Sequence, residues 1–261
     1  MKGKLYGIGT GPGDPELLTI KAVNAIQKCE VIAVPIAGCG KDTNDVAGSG
    51  ERTAFSIVEK YIAGKELLEC RFAMENDIAK RKEARQHVAA NIMRFLDVGK
   101  DVGFITLGDP TTYSTYMYVH EIIVSQGIDA EIIPGVSSYA AAAAALGIAL
   151  CEGNETLTVI PASHNASIDE LIDRPGNKVI MKSGENLAQV LNKLKERSYG
   201  EQTKIACRCT MDGQRLFNNI DEYEESQENR YLRSGGEPSP AIAYTATGSG
   251  YFTIVIVKEK K

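Results

Sequence analysis

Three short turns combine glycine and proline with hydroxyl or carboxyl side chains, and they are the strongest candidates for binding chemistry in this chain. They are GPGDP at residues 11–15, GDPTT at residues 108–112 and PGVSS at residues 134–138. Glycine lets a ligand approach bare backbone, whereas Ser and Thr hydroxyls can donate or accept a hydrogen bond. Each turn follows a short apolar run, so we expect all three at the carboxyl edge of one sheet, where open parallel sheets bind small molecules.

The first turn does not fit the common phosphate-binding motifs. A G-x-G-x-x-G fingerprint that starts at Gly7 needs glycine where Pro12 stands, and one that starts at Gly9 needs glycine where Asp14 stands. No G-K-S or G-K-T follows, which excludes a Walker A loop. Asp14 and Pro15 are typical of a helix N-cap and first turn. Taken alone, GPGDP is compatible with a structural turn or with a ligand loop.

No other residue pattern predicts acid–base, nucleophilic or metal chemistry, so the catalytic residues are unknown at this level. The three histidines, His87, His120 and His164, lie apart on helices or in a polar loop. The six cysteines are scattered without C-x-x-C spacing, which favours reduced packing residues over a metal or redox site. We therefore expect no protein-bound metal.

The elements that must position the turns alternate in type along the chain. Apolar strands such as LYGIG, EVIAVP and DVGFITL alternate with segments of helical period, the pattern of an α/β protein. The polar hinge CEGNE separates two such series, so we predict an N-terminal αβ domain at residues 1–152 and a C-terminal αβ domain at residues 153–261.

Within the C-terminal domain, an acidic stretch followed by a stretch rich in Gly, Pro, Ser and Thr predicts an irregular loop at about residues 218–250.

Bulk composition narrows the classes of function. The chain has 261 residues, 43% of them apolar, and a formal net charge of −5 without a run of Lys or Arg that would attract nucleic acid. No window is apolar for the length that a membrane span requires. We therefore expect a cytoplasmic, soluble protein without nucleic-acid or membrane partners.

The three turns, in this order and spacing, resemble those of the tetrapyrrole methylases, the class III S-adenosylmethionine-dependent methyltransferases. TLTVIPA and KVIMKSGENL resemble the start of the second domain of that family, and the resemblance covers the chain except about residues 218–250. It implies two αβ domains with a ligand crevice between them, S-adenosylmethionine as methyl donor, and a homodimer.

The resemblance also implies functions for individual residues. The donor contacts that it implies are Pro12, Leu107, Gly108, Asp109, Thr112, Ser137, Ser138, Met181 and Thr210, with Cys209 as an alternative to Thr210. The substrate is expected to carry eight carboxylate side chains, for which the candidate contacts are Arg52, Lys182, Arg208 and Arg215, while Tyr113 could offer a flat wall to its ring. Lys182 departs from the glycine that is usual in the family, and it could approach a substrate carboxylate or face solvent. The sequence alone favours a core position for Met181, and only the resemblance implies that it contacts the donor.

Within the family, VGFITLGDPTTYSTYMYV, VIMK and YFTIVIVKE are most similar to the branch that methylates C20 of precorrin-2 or cobalt-factor II. The alternatives are a methyltransferase of the same fold that acts on another tetrapyrrole position, on RNA or in diphthamide formation, and a non-catalytic tetrapyrrole carrier.

Overall fold

The computed structural model describes residues 2–37, 50–72, 77–163, 168–233 and 252–259. It divides into two compact units, Met1–Ser137 and Ser138–Lys261, each built on a five-stranded sheet with helices, which confirms the predicted α/β class. Unit 2 already includes the helix after the third turn. The predicted domain boundary after residue 152 stays a prediction.

The sheet of unit 1 is entirely parallel, with strand order β3-β2-β4-β1-β5. Its strands are β1 (Leu5–Gly9), β2 (Val31–Ala37), β3 (Glu66–Phe72), β4 (Val102–Thr106) and β5 (Ala130–Ile133). Its helices are α1 (Ile20–Lys28), α2 (Gly50–Val58), α3 (Ile78–Asp97) and α4 (Tyr116–Ser125). All residues of β1 and β4 are buried, as expected of central strands covered on both faces.

Helix α3 shows how local sequence sets an element of this unit. Asp77 caps it, because its carboxylate accepts hydrogen bonds from the N–H groups of Ala79 and Lys80. Along the helix, Val88, Ala89 and Ile92 form a buried apolar stripe, whereas Ile78 in the first turn is 76% exposed. The stripe therefore begins one turn or more after the helix does.

Unit 2 has a mixed sheet with strand order β6-β7-β10-β8-β9. Its elements are α5 (Ser138–Leu146), β6 (Leu157–Pro161), α6 (Ile168–Ile172), β7 (Asn177–Met181), α7 (Leu187–Glu196), β8 (Thr203–Cys207), β9 (Arg215–Phe217), α8 (Ile220–Arg233) and β10 (Thr253–Val257). One face packs on α6, α7 and α8, while the alanine-rich α5 contacts β8, β9 and β10. Small side chains allow that close approach, although alanine also favours the helix itself.

The prediction of an irregular loop at about residues 218–250 is wrong for its first part, because Ile220–Arg233 forms α8. The Asn219 side chain accepts a hydrogen bond from the Glu222 N–H, and the Glu222 carboxylate accepts one from the Asn218 N–H, so the helix start is capped in both directions. Ile220 and Tyr223 are fully buried in the core of unit 2. The acidic residues between them concealed this apolar spacing. Residues 234–250 lie outside the described part of the chain.

Candidate functional site

The three predicted turns meet at the carboxyl edge of the unit 1 sheet through bare backbone. Strands β4, β1 and β5 are neighbours and parallel, so the turns that follow them lie side by side. The Gly11 and Gly108 backbones exchange two hydrogen bonds, of 3.2 and 2.7 Å. A Cβ atom added to Gly9 would lie 2.5 Å from the Gly135 nitrogen, and one added to Gly135 would lie 2.2 Å from the Gly108 oxygen. These glycines allow backbone contact that no side chain would permit.

The first turn is rigid on both sides of this contact. Gly11 has a φ of +76°, in the left-handed region that favours glycine, and Pro12 is buried. Asp14 caps the 3₁₀ helix Pro15–Leu17, since its Oδ1 accepts a 2.8 Å hydrogen bond from the Glu16 N–H. The N-cap and first-turn positions predicted for Asp14 and Pro15 are confirmed.

Asp109 ties the second turn to the third. One carboxylate oxygen accepts hydrogen bonds from the Thr111 N–H, at 2.8 Å, and from the Thr111 hydroxyl. The other accepts a 3.0 Å bond from the Gly135 N–H. The side chain is buried, so these contacts replace those that water would make. In this structure Asp109 therefore holds the two turns in register.

Gly108 is buried, but the space on its Cβ side is unfilled. Its φ is +71°, and a Cβ atom added to it would meet no atom of the described residues within 4 Å. The next residues are more accessible than Asp109: Thr112 is half-buried, and Tyr113 is 44% exposed with a left-handed φ of 52°. Leu107 packs beneath the turn against an apolar cluster of unit 1. A small molecule could thus contact peptide groups here directly.

The third turn contributes two half-buried serines. Ser137 is the last residue of unit 1, and Ser138 is the first residue of unit 2 and of α5. Both therefore follow Gly135 within the turn that Asp109 holds.

In unit 2 the remaining candidates lie at one edge of the sheet. Strands β7 and β8 are both antiparallel to β10, so their carboxyl ends meet at the edge where β10 begins. Met181 is the last residue of β7, and Lys182 follows it. Arg208 and Thr210 come directly after β8. Arg215 is the first residue of β9 and lies opposite Cys207.

Three of these residues have backbone conformations that L-amino acids rarely adopt. The φ angles are 55° for Lys182, 50° for Arg208 and 63° for Thr210. Left-handed non-glycine residues cost energy and cluster at functional sites. The strain of this unit thus concentrates at the edge that holds the sequence candidates.

The side chains at this edge differ in what they contact. Met181 is buried, and burial lowers the pKa of the Lys182 ammonium. The Arg208 Nε donates a 2.8 Å hydrogen bond to the Asp212 carbonyl, and the Thr210 N–H donates one of 2.7 Å to the Gln214 side chain. Both bonds shape the loop after β8.

Arg215 lies on the same face of the sheet as Cys207 and Phe217, with its guanidinium carbon 5.6 Å from the Phe217 ring centroid. One of its guanidinium nitrogens, Nη1, is buried and has no hydrogen-bond partner in the described ranges of the chain. A ligand that supplies an acceptor would satisfy this buried donor and so gain binding energy.

Sequence reasoning missed Ser183, which follows Lys182. The residue is 1% exposed, and within the described part of the chain its Oγ has no hydrogen-bond partner. The available signal was the turn KSG directly after an apolar strand, the same arrangement as in the first unit.

Other candidates lie elsewhere or outside the described side chains. Arg52 lies in α2, but its side chain is not among those described, and His164 lies outside the described residues. The Nδ1 of His120 is 3.0 Å from the hydroxyl of the buried Tyr116, and His87 lies 3.4 Å from the Asn91 side chain. Burial raises the pKa of the Tyr116 phenol. The contact with Tyr116 accounts for His120 as a structural residue, whereas His87 is exposed on the surface of α3.

Two searches of the described residues were negative. They contain no group of three or more His, Cys, Asp or Glu side chains placed to hold a metal ion. None of their helices has the length and apolar character needed to cross a membrane.

Comparison with known proteins gives consistent matches over most of the chain. Residues 4–223 match the family described as Tetrapyrrole (Corrin/Porphyrin) Methylases. A Methanocaldococcus jannaschii protein named "Probable cobalt-precorrin-2 C(20)-methyltransferase" is 33% identical over 88% of this chain and 93% of its own. The Salmonella typhimurium "Cobalt-precorrin-2 C(20)-methyltransferase" is 30% identical over 89% and 94%.

Among solved structures, a uroporphyrin-III C-methyltransferase from Thermus thermophilus, complexed with S-adenosylhomocysteine, has the same fold. Its TM-score is 0.65 at 16% identity, and the match covers 98% of each chain.

Proposed function

Because the chain belongs to the tetrapyrrole methylase family, we propose that it is an S-adenosylmethionine-dependent methyltransferase that methylates C20 of precorrin-2 or cobalt-factor II in cobalamin biosynthesis. The observation that carries this proposal is the 33% and 30% identity, over nearly the whole chain, to two relatives named for that reaction. The choice between the cobalt form and the metal-free form concerns the substrate, because any cobalt would arrive inside the macrocycle.

The residues at the edge of the unit 1 sheet fit a methyl donor. Gly108 offers bare backbone next to open space, and the half-buried Thr112 and Ser137 offer hydroxyl groups. We propose that the nine residues predicted as donor contacts hold S-adenosylmethionine, with Asp109 acting through the turns that it connects. When bound, the donor supplies a methyl group that its positive sulfur has already activated.

The contribution of the protein is then mainly positioning. Alignment of a nucleophile with a reacting group and exclusion of water can supply several kcal/mol without an acid or a base. The Asp109 carboxylate is already engaged by Thr111 and Gly135, which argues against its acting as a proton acceptor. In unit 2, Lys182, Arg208 and Arg215 place three cationic side chains at one edge, which suits a substrate rich in carboxylates.

Incubation of the purified protein with S-adenosylmethionine and either precorrin-2 or cobalt-factor II tests the proposal. We expect a mass gain of one methyl group in one of the two tetrapyrroles. If the protein binds S-adenosylhomocysteine but neither tetrapyrrole gains mass, the substrate assignment is wrong although the donor site stands. A carrier would bind tetrapyrrole without any transfer.

The predicted homodimer and the cytoplasmic location stay predictions, and so does the crevice between the two domains. The absence of nucleic-acid partners is supported by the net charge of −5. Light scattering on the purified protein measures its mass in solution and tests the homodimer.

A further inference from the structure

The turn Lys182–Gly184 at the end of β7 has the backbone shape of an anion-binding concavity. Its φ angles alternate in sign, at 55° for Lys182, −66° for Ser183 and 50° for Gly184. Successive residues of opposite hand direct consecutive N–H groups toward one side, and such concavities bind anions.

The Ser183 hydroxyl supplies an independent indication of a ligand. Ser183 is 1% exposed, yet its Oγ has no hydrogen-bond partner among the residues that the structure describes. Buried hydroxyl groups are normally satisfied, as in Thr203, where Oγ1 donates a 2.8 Å bond to the Tyr199 carbonyl. A group that lacks a partner within the protein gains one when a ligand binds.

Lys182 occupies its position despite two unfavourable contributions. Glycine would adopt its left-handed backbone without cost, and burial disfavours its charged form, which lowers the pKa of the ammonium. The conformation of this turn and its buried hydroxyl therefore indicate the same class of ligand.

We propose that the Lys182–Gly184 turn binds a carboxylate group, with the Ser183 hydroxyl as one of its hydrogen-bond donors. The proposal rests on the proposed function, because the carboxylate is expected on an acid side chain of the tetrapyrrole. The amino-acid part of the methyl donor is the other source of the same chemistry.

The test compares Ser183→Ala with Thr203→Val in the full chain. Affinities for the tetrapyrrole and for S-adenosylhomocysteine are measured separately by titration, together with the melting temperature. Loss of a hydrogen bond to a charged group predicts about tenfold weaker binding of one ligand by Ser183→Ala, with an unchanged or higher melting temperature. Thr203→Val should lower the melting temperature and leave both affinities unchanged.

The two ligands distinguish the source of the carboxylate. Weaker tetrapyrrole binding supports the site with the substrate as its ligand, and weaker S-adenosylhomocysteine binding supports it with the donor. Equal affinities of wild type and Ser183→Ala for both ligands would overturn the proposal. Failure of the proposed function is seen separately, as the absence of methyl transfer by the wild-type protein.

Discussion

At the scale of single residues, a substitution at Gly108 can separate an effect on the proposed donor site from an ordinary effect on backbone strain. Gly108 and Gly127 have nearly the same φ, +71° and +74°, and at either position an added Cβ atom would meet no described residue within 4 Å. Alanine at each should therefore cost about 1 kcal/mol of stability through left-handed strain.

Only Gly108→Ala should also weaken S-adenosylhomocysteine binding, because its Cβ atom would enter the space in which we place the donor. Isothermal titration calorimetry on both variants measures this difference. Equal affinities of the two variants would show that the donor does not approach the second turn.

Ser183 and Gly108 illustrate what residue-scale reasoning can predict from sequence. The glycine turn is visible as a motif, since the requirement for bare backbone is local. The burial of Ser183 is not, because it depends on how β7 and the start of α7 pack in unit 2. The left-handed φ angles of Lys182, Arg208 and Thr210 are equally hidden, since these residue types do not favour that conformation.

At the scale of elements, Asp109 connects the turns after β4 and β5. Asp109→Ala would leave the half-buried Gly135 N–H without its acceptor, which should lower the free energy of unfolding by about 1 kcal/mol. It should also weaken donor binding, because the two turns lose their register. Asp109→Asn keeps one acceptor oxygen, so it should retain more of the stability and more of the donor affinity than Asp109→Ala.

Denaturant unfolding and calorimetric titration of the two Asp109 variants check this account. Asp129→Ala is a suitable control, since that carboxylate is 74% exposed and pairs only with Lys4 among the described residues. If Asp109→Ala is as stable as Asp129→Ala, the connection between the turns contributes little to the fold.

Elements differ in how clearly the sequence predicts them. The parallel strands of unit 1 are continuous apolar runs, which is why β1, β2 and β4 could be located. Helix α8 could not, because acidic residues surround Ile220 and Tyr223 and suggest an exposed loop. The three-residue strand β9 is too short to show a period.

At the scale of the whole molecule, the Glu155 carboxylate helps to hold the segment after α5 to the unit 2 sheet, alongside hydrogen bonds from Asn177 and Lys258 to backbone carbonyls of that segment. Glu155 accepts hydrogen bonds from the side chains of Asn177, at 2.8 Å, and Lys258, at 2.9 Å, and from the Glu152 N–H. The bonds from Lys258 and Asn177 lower the pKa of Glu155 to about 2, from an ordinary value of 4.5.

A carboxyl group whose pKa is lower in the folded state stabilises the fold above its unfolded pKa, and this contribution disappears as the pH falls through the folded pKa. Wild type should therefore melt at a higher temperature than Glu155→Gln at pH 7. The difference should shrink as the pH falls from about 4.5 to about 2. The substitution Glu201→Gln, at an exposed position, serves as the control. If the difference in melting temperature between wild type and Glu155→Gln does not change with pH, the ionised Glu155 carboxylate does not stabilise the fold in this way.

The central claim concerns the reaction of the whole molecule, and the position of the transferred methyl group tests it most directly. The protein is supplied with S-adenosylmethionine labelled with ¹³C in its methyl group and with precorrin-2 or cobalt-factor II, and the product is examined by NMR. The account predicts a single labelled methyl group on the meso carbon C20. Label at another ring position, or in neither tetrapyrrole, would contradict it.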